Sequence, residues 1–302
     1  MSGAKPKIIA IVGPTASGKT SLSIDIAKKF NGEVISADSR QVYTGMDIGT
    51  GKVSKEEMAG IPHHLLDIRN PDEIYTAAEF KEDAKAAISD IRSRNQIPII
   101  AGGTFFYLDQ LRGKINSAPV EPNSEFRKTL ENLTNEELFS KLQVKDPERA
   151  ETIDKHNRRR LERALEIVDS IGKVPAPAKS EYMPYKWLII GVDVDKETLR
   201  NNFAKRLEGW LEAGFQGEVE RLLQDRSISS TRFNEFGFEY TLMCDYLSKE
   251  ISLDELKERF VQKNWQYAKR QLTWLKRDSE VEWFSPENRE VILGRVEKFL
   301  QQ

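Results

Sequence analysis

Eight residues near the start of the chain, Gly13-Pro14-Thr15-Ala16-Ser17-Gly18-Lys19-Thr20, limit its fold more than any other feature. They complete a G-x-x-x-x-G-K-[ST] phosphate loop. The context is the one such a loop requires. The apolar run Ile8-Ile9-Ala10-Ile11-Val12 precedes it and reads as a buried strand, and a helix-forming run from Ser21 to Lys29 follows. The two glycines let backbone N–H groups turn inward, and the helix N-terminus adds partial positive charge. Lys19 then reaches the phosphates, and the Thr20 hydroxyl is placed to hold Mg²⁺. The loop alone does not say which phosphate ester it binds, or whether phosphate is what moves.

A chain of 302 residues suits a core domain with an insertion, or two domains. With 39% hydrophobic and 31% charged residues it is expected to be globular and soluble. No apolar run is long enough to cross a bilayer. Met1 to Pro6 are polar and carry no secretory pattern, so a cytoplasmic location is expected. The lone Cys244 excludes an intrachain disulfide and a cysteine-cluster zinc site. A net charge of −2 does not advertise nucleic-acid binding, so any RNA site must gather its cations locally.

Strand and helix alternate through the first hundred residues, which predicts a parallel sheet with helices packed on it. Glu33-Val34-Ile35-Ser36 reads as the second strand. An irregular stretch from Ala37 to Ile74 follows, and a loop that long in a compact domain is usually functional. Thr76-Ala77-Ala78-Glu79 is a capping box opening a helix whose apolar stripe is Phe80, Ala84, Ala87, Ile88 and Ile91. Ile97 to Ala101 is another buried strand, ending in Gly102-Gly103-Thr104. From Asn116 to about Tyr185 no strand is expected. Thr134-Asn135-Glu136-Glu137 is a second capping box, Asp146-Pro147 reads as a cap and first turn, and a helix spans about Asn157 to Ser170. Prolines 119, 122, 175, 177 and 184 punctuate this segment. It is read as a helical insertion at 116–183, within a phosphate-loop core of 1–115 and 184–302. Trp187 to Val192 returns to the sheet, and the remainder is expected to be helical, with Ser252-Leu253-Asp254-Glu255 capping a helix to about Lys276 and Pro286 opening the last.

Asp38, just past the second strand, shares the rim of the sheet with the phosphate loop, because ligands in such folds sit beyond the C-terminal strand ends. Its carboxylate suits a Mg²⁺ ligand or a general base, against the plainer reading of a helix cap.

Several strings taken together resemble the bacterial tRNA dimethylallyltransferases: the phosphate loop, Asp38-Ser39-Arg40-Gln41-Val42-Tyr43, Met46 to Thr50, Pro62 to Asp67, Gly102-Gly103-Thr104, Asn157 to Glu166 and Gln266 to Trp274. The resemblance covers nearly the whole chain. It implies an α/β P-loop NTPase-like core with a helical insertion that contacts tRNA. It also implies transfer of a five-carbon prenyl group from dimethylallyl diphosphate to the exocyclic N6 amine of the adenine 3′ of the anticodon, with Mg²⁺. Gly13, Pro14, Thr15, Ala16, Ser17, Gly18, Lys19 and Thr20 would hold the diphosphate. Asp38 would act as base, Thr104 would touch the adenosine near the reacting centre, and Arg206 would bind diphosphate beside Lys19. Thr104 has an alternative as a helix N-cap. Contacts to tRNA would come from Asp38, Ser39, Arg40, Gln41, Thr104, Arg127, Arg159, Arg160, Leu161, Glu162 and Arg163, with the target base extruded from the anticodon loop.

Basic residues support an RNA partner at two places. Lys155, His156, Arg158, Arg159, Arg160 and Arg163 crowd one helix start. Lys263, Lys269, Arg270, Lys276 and Arg277 alternate with Trp265, Tyr267 and Trp274, although Trp274 and Leu272 read more readily as core than as stacking surface. Adjacent His63 and His64 chelate poorly, and no transition-metal site is expected.

The chain departs from the family pattern at Phe105-Phe106-Tyr107, at Gly237-Phe238-Glu239-Tyr240, where Glu239 replaces a cation, at Asn264-Trp265, and at Asn202, where an arginine is common. Two other readings stay open: a small-molecule kinase holding ATP on the same loop, or prenyl transfer to free AMP. A guanine-nucleotide switch ranks lower, since no Asn-Lys-x-Asp string occurs. Monomer is the default expectation.

Overall fold

The computed structural model describes residues 5–115, 118–175, 185–225 and 227–302. The expected insertion boundaries at Asn116 and residue 183, together with prolines 177 and 184, lie outside these residues. Contacts divide the chain into two compact units, Met1–Arg112 with Met183–Gln302, and Gly113–Tyr182.

In chain order the first unit runs β1 (Lys7–Val12), α1 (Lys19–Phe30), β2 (Gly32–Ser36), α2 (Lys55–Met58), β3 (His63–His64), α3 (Ala77–Ser93), β4 (Ile97–Ala101) and α4 (Phe105–Leu111). The second unit holds α5 (Ser124–Leu130), α6 (Asn135–Lys145), α7 (Pro147–Thr152) and α8 (Arg158–Ile171). The first unit then resumes with β5 (Lys186–Val192), α9 (Lys196–Glu212), α10 (Phe215–Gln224), α11 (Ser230–Asn234), α12 (Phe238–Leu247), α13 (Leu253–Leu275), β6 (Val281–Phe284) and α14 (Arg289–Gln301).

The six strands form one parallel sheet in the order β3-β2-β4-β1-β5-β6. Parallel strands are covered on both faces, so they read as continuous apolar runs. Ile8, Ile9, Ala10 and Ile11 in β1 and Ile99 and Ile100 in β4 accordingly have almost no exposure. The chain leaves β1 toward β2 on one side and later crosses from β4 to β5 on the other. This reversal opens a crevice at the C-terminal ends of β1, β2 and β4.

The capping boxes expected at Thr76, Thr134 and Ser252 all form, each with the Ser or Thr oxygen accepting the N3 amide and the N3 glutamate accepting the cap amide. The stripe Phe80, Ala84, Ala87, Ile88 and Ile91 is buried. Phe80 stacks on Tyr107 at 4.4 Å between centroids.

Two strands depart from expectation. The segment after α13 was expected to be helical, yet Val281–Phe284 forms β6, in register with Ile189 to Val192 of β5. Gly191 makes this possible, because a Cβ there would lie 2.7 Å from the Trp283 ring. As an edge strand, β6 needs only one partner and carries no long apolar run. His63–His64 likewise pairs with Val34 and Ile35 inside a stretch expected to be irregular. The last helix starts at Arg289 instead of Pro286.

The second unit has its own core of Leu130, Leu138, Leu142, Ala150, Ile153, Leu161, Ala164, Leu165 and Val168.

Candidate active site

Three strand ends build the floor of the crevice. After β1 the phosphate loop turns through Gly13 (φ +154°), Ala16 (φ 61°) and Gly18 (φ 87°). A Cβ on Gly13 would press on Ser17 Oγ and on the Val192 carbonyl, each at 3.0 Å, so only glycine fits. Gly18 caps α1 without a side-chain bond. After β4, Gly102 passes so close to Ala37 that a Cβ would stand 2.2 Å from its carbonyl oxygen. The Ala37 amide donates to the Ala101 carbonyl at 2.8 Å, and the Thr104 amide to the Ala37 carbonyl at 3.1 Å, stitching the ends of β2 and β4 together.

Asp38 and its neighbours sit on these stitches. Asp38 Oδ1 accepts the Arg40 amide at 2.9 Å, which leaves Oδ2 for a ligand. Thr104 occupies the N-cap position of α4 but makes no cap bond. Its Oγ1 accepts the Ser39 amide at 3.0 Å instead, so the helix-cap alternative is corrected. Gln41 accepts from Ser36 Oγ at 3.0 Å and donates to the Gly51 carbonyl at 3.1 Å.

Helices from the second half of the chain hold the phosphate loop. Gln271 of α13 accepts the Thr15 amide at 2.9 Å and donates to the Gly103 carbonyl at 3.0 Å, joining the loop to the Gly102-Gly103-Thr104 turn. Arg206 of α9 donates to Thr15 Oγ1 at 2.8 Å and lies 5.8 Å from the Trp210 ring. Asn202, one turn earlier, donates to the Ala16 carbonyl at 3.0 Å. The sequence marked Asn202 only as a departure from the family pattern and Gln271 only as a member of the string Gln266 to Trp274, because a single amide in a helix does not announce what it will hold.

Electrostatically the site is crowded with cations. Lys19 Nζ donates to the Pro14 carbonyl at 2.6 Å. Burial, reinforced by Arg206, lowers its pKa to about 7, with Asp38 opposing. Arg206 is also lowered, by burial, while Glu239 and Asp38 pull it back up. Thr20 is exposed at the first turn of α1. Ser17 Oγ is buried with no partner.

The long irregular stretch is organised by buried charge. Glu218 of α10 accepts the amides of Asp47, Ile48 and Gly49 at 2.8 to 2.9 Å, and its Oε1 also accepts the Tyr240 hydroxyl at 2.9 Å. Lys52 donates to Asp47, to Asp67 and to the Tyr43 carbonyl. His64 Nε2 lies 2.6 Å from Glu33, so the histidine pair closes the sheet edge.

In the second unit the expected RNA residues are sorted by their contacts. Leu161 has no exposure and lies in that unit's core, so its expected tRNA contact is corrected: the apolar face of α8 turns inward. Arg127 donates to both oxygens of buried Glu166, at 3.0 and 3.1 Å, and Arg163 also pairs with Glu166. Glu162 pairs with Arg158 at 2.7 Å. Arg159 and Arg160 are exposed. On α13, Lys263, Lys269 and Arg270 are exposed, and Trp274 Nε1 donates to Asp109 at 2.8 Å.

A phosphate loop on the rim of a parallel sheet, facing a carboxylate and converging cations, defines a phosphate-ester-binding protein of the P-loop class. The IPP transferase family matches residues 41–278, and the chain belongs to that family. It is 42% identical to the tRNA dimethylallyltransferase of Staphylococcus haemolyticus, over 94% of this chain and 88% of that protein. Among solved structures it is similar to the tRNA delta(2)-isopentenylpyrophosphate transferase of Staphylococcus epidermidis, with 39% identity, a TM-score of 0.70, and 98% and 99% of the two chains covered. It is also similar to a eukaryotic dimethylallyltransferase acting on tRNA, with 28% identity, a TM-score of 0.77, and 93% and 74% covered.

Proposed function

We propose that this protein transfers a dimethylallyl group from dimethylallyl diphosphate to the N6 amine of the adenine 3′-adjacent to the anticodon of tRNA. The observation that carries this reading is Gln271. One side chain holds the phosphate loop and the strip bearing Thr104 at 2.9 and 3.0 Å, which sets a leaving-group site beside an acceptor site.

An allylic diphosphate leaves with charge separation. The C1–O bond breaks and its electron pair stays on diphosphate. Lys19, Arg206 and the N-terminus of α1 stabilise that charge as it develops. The N6 nitrogen bonds to C1, and one N6 proton passes to Asp38. Thr104 accepts the Ser39 amide, so its own hydroxyl hydrogen is free to donate to the adenine. Arg40 and Gln41 flank the extruded base, and exposed Arg159 and Arg160 of the helical unit supply phosphate contacts to the anticodon stem-loop.

Mg²⁺ suits this donor set. Among the described residues no group of three or more His, Cys, Asp or Glu side chains stands together. The Thr20 hydroxyl would hold a Mg²⁺ here, with phosphate and water oxygens as its other ligands. When bound it would add to the neutralisation of the leaving diphosphate. Thr20→Ala should raise the Mg²⁺ concentration for half-maximal rate about tenfold. Unchanged metal dependence would remove Thr20 from this role. No described helix is long and apolar enough to cross a membrane.

The test is direct. Labelled dimethylallyl diphosphate and Mg²⁺ are incubated in parallel with unmodified tRNA and with AMP, and ATP with small acceptors. Label in tRNA is expected. Label in AMP alone, or phosphoryl transfer from ATP, overturns the assignment.

A further inference from the structure

Asn202 and Arg206 stand four residues apart on α9, so they share one face of that helix, and both are half-buried. Leu199, Phe203 and Leu207 of the same helix are buried and hold it against the core. Asn202 and Arg206 meet consecutive residues of the phosphate loop. Arg206 donates to Thr15 Oγ1 at 2.8 Å, and Asn202 Nδ2 donates to the Ala16 carbonyl at 3.0 Å. The Thr15 amide is engaged separately, by Gln271 of α13.

The residue that Asn202 holds is the strained one. Ala16 has a φ of 61°, the left-handed region that a residue with a Cβ rarely adopts. Gly13 and Gly18 in the same loop also have positive φ, but without a Cβ they carry no such penalty. A trans peptide is planar, with its C=O and N–H pointing opposite ways. A carbonyl of Ala16 fixed on α9 therefore turns the Ser17 amide away from α9. Position 202 departs from the family pattern, which commonly has an arginine there, so this amide brace belongs to this chain.

We propose that Asn202 is a positioning residue for the donor: its amide keeps Ala16 left-handed, and the Ala16–Ser17 peptide turned for a diphosphate, before any ligand arrives. Without that bond Ala16 relaxes toward ordinary backbone angles, and a diphosphate must re-form the turn as it binds. The loss falls on affinity, because a bound anion holds the loop once it is in place. The inference rests on reading the loop as a diphosphate site and adds a residue from outside the loop to it.

A double-mutant cycle between positions 202 and 16 tests this, read by calorimetric titration with Mg²⁺-pyrophosphate and by steady-state prenylation of tRNA. Asn202→Ala should bind Mg²⁺-pyrophosphate about tenfold more weakly and raise the donor KM by a similar factor, while kcat falls no more than about threefold. Alanine suits a half-exposed helix position and leaves the buried face of α9 intact, so Tm should move by less than about 3 °C. Glycine at position 16 adopts the left-handed angle without the Cβ penalty. With Ala16→Gly in both arms, the same Asn202→Ala change should weaken binding only about twofold. A role confined to packing α9 would give equal losses with alanine or glycine at position 16, and that result overturns the proposal. So does an Asn202→Ala variant that binds pyrophosphate as tightly as the parent, or one that loses kcat with KM untouched. A parent protein that fails to bind pyrophosphate sinks the diphosphate reading and the proposal together, whereas a parent that binds while the two arms agree sinks the proposal alone.

Discussion

Asp38→Asn should lower kcat for tRNA prenylation by about a thousandfold, with affinity for Mg²⁺-pyrophosphate within about threefold of the parent. Asn keeps the shape of Asp38 and the acceptor for the Arg40 amide, so the turn should survive. What Asn lacks is a site for the N6 proton. An adenine amine is a poor nucleophile because its lone pair is spread into the ring. Without a nearby acceptor the alkylated nitrogen must keep its proton until water removes it. Single-turnover rates and calorimetric affinities separate the two effects. Equal loss of both would recast Asp38 as a ligand of the metal or the diphosphate.

Glu218→Ala should have the largest effect on stability, about 3 kcal/mol or more, read as the loss in urea-unfolding free energy or as a fall in Tm. Alanine leaves three amides, of Asp47, Ile48 and Gly49, and the Tyr240 hydroxyl without their acceptor, the Gly49 amide and the hydroxyl in a buried place. The turn cannot move away to find water. A Cβ on Gly49 would already stand 2.3 Å from the Phe215 ring, so that turn is wedged between Phe215 and Tyr240. Activity should fall with stability, because Gln41 takes its hold from the carbonyls of Thr50 and Gly51, directly after that turn. Glu218→Gln keeps one acceptor oxygen and should lose roughly half as much. If Glu218→Ala unfolds like the parent, the organising role assigned to this carboxylate is wrong.

The parts of this molecule written in local pattern were legible before the structure. The glycines and lysine of the phosphate loop declare a turn, and the isoleucine-rich apolar runs of β1 and β4 declare strands covered on both faces. Capping boxes at Thr76, Thr134 and Ser252 fixed helix starts to the residue. Asp38 and Thr104 could be placed on the rim because each closely follows a strand end. The parts decided by partners far along the chain were not legible. What Gln271 and Asn202 hold becomes visible only when the loop residues 256 and 186 positions earlier lie beside them. β6 is four residues whose strand character comes from bare Gly191 opposite Trp283. Leu161 sits in an arginine-rich string that suggests an RNA face, but the helix period turns it to the core while Arg160 stays outside.

The bonds from Asn202, Arg206 and Gln271 to a loop at residues 13–20 also bear on how the protein is made. A ribosome releases the glycine turn among the first segments, but the side chains that brace it emerge hundreds of codons later. Translation intermediates stalled before position 271 carry the sequence motif without its scaffold. The loop's set of braces is therefore complete only once position 271 has been added.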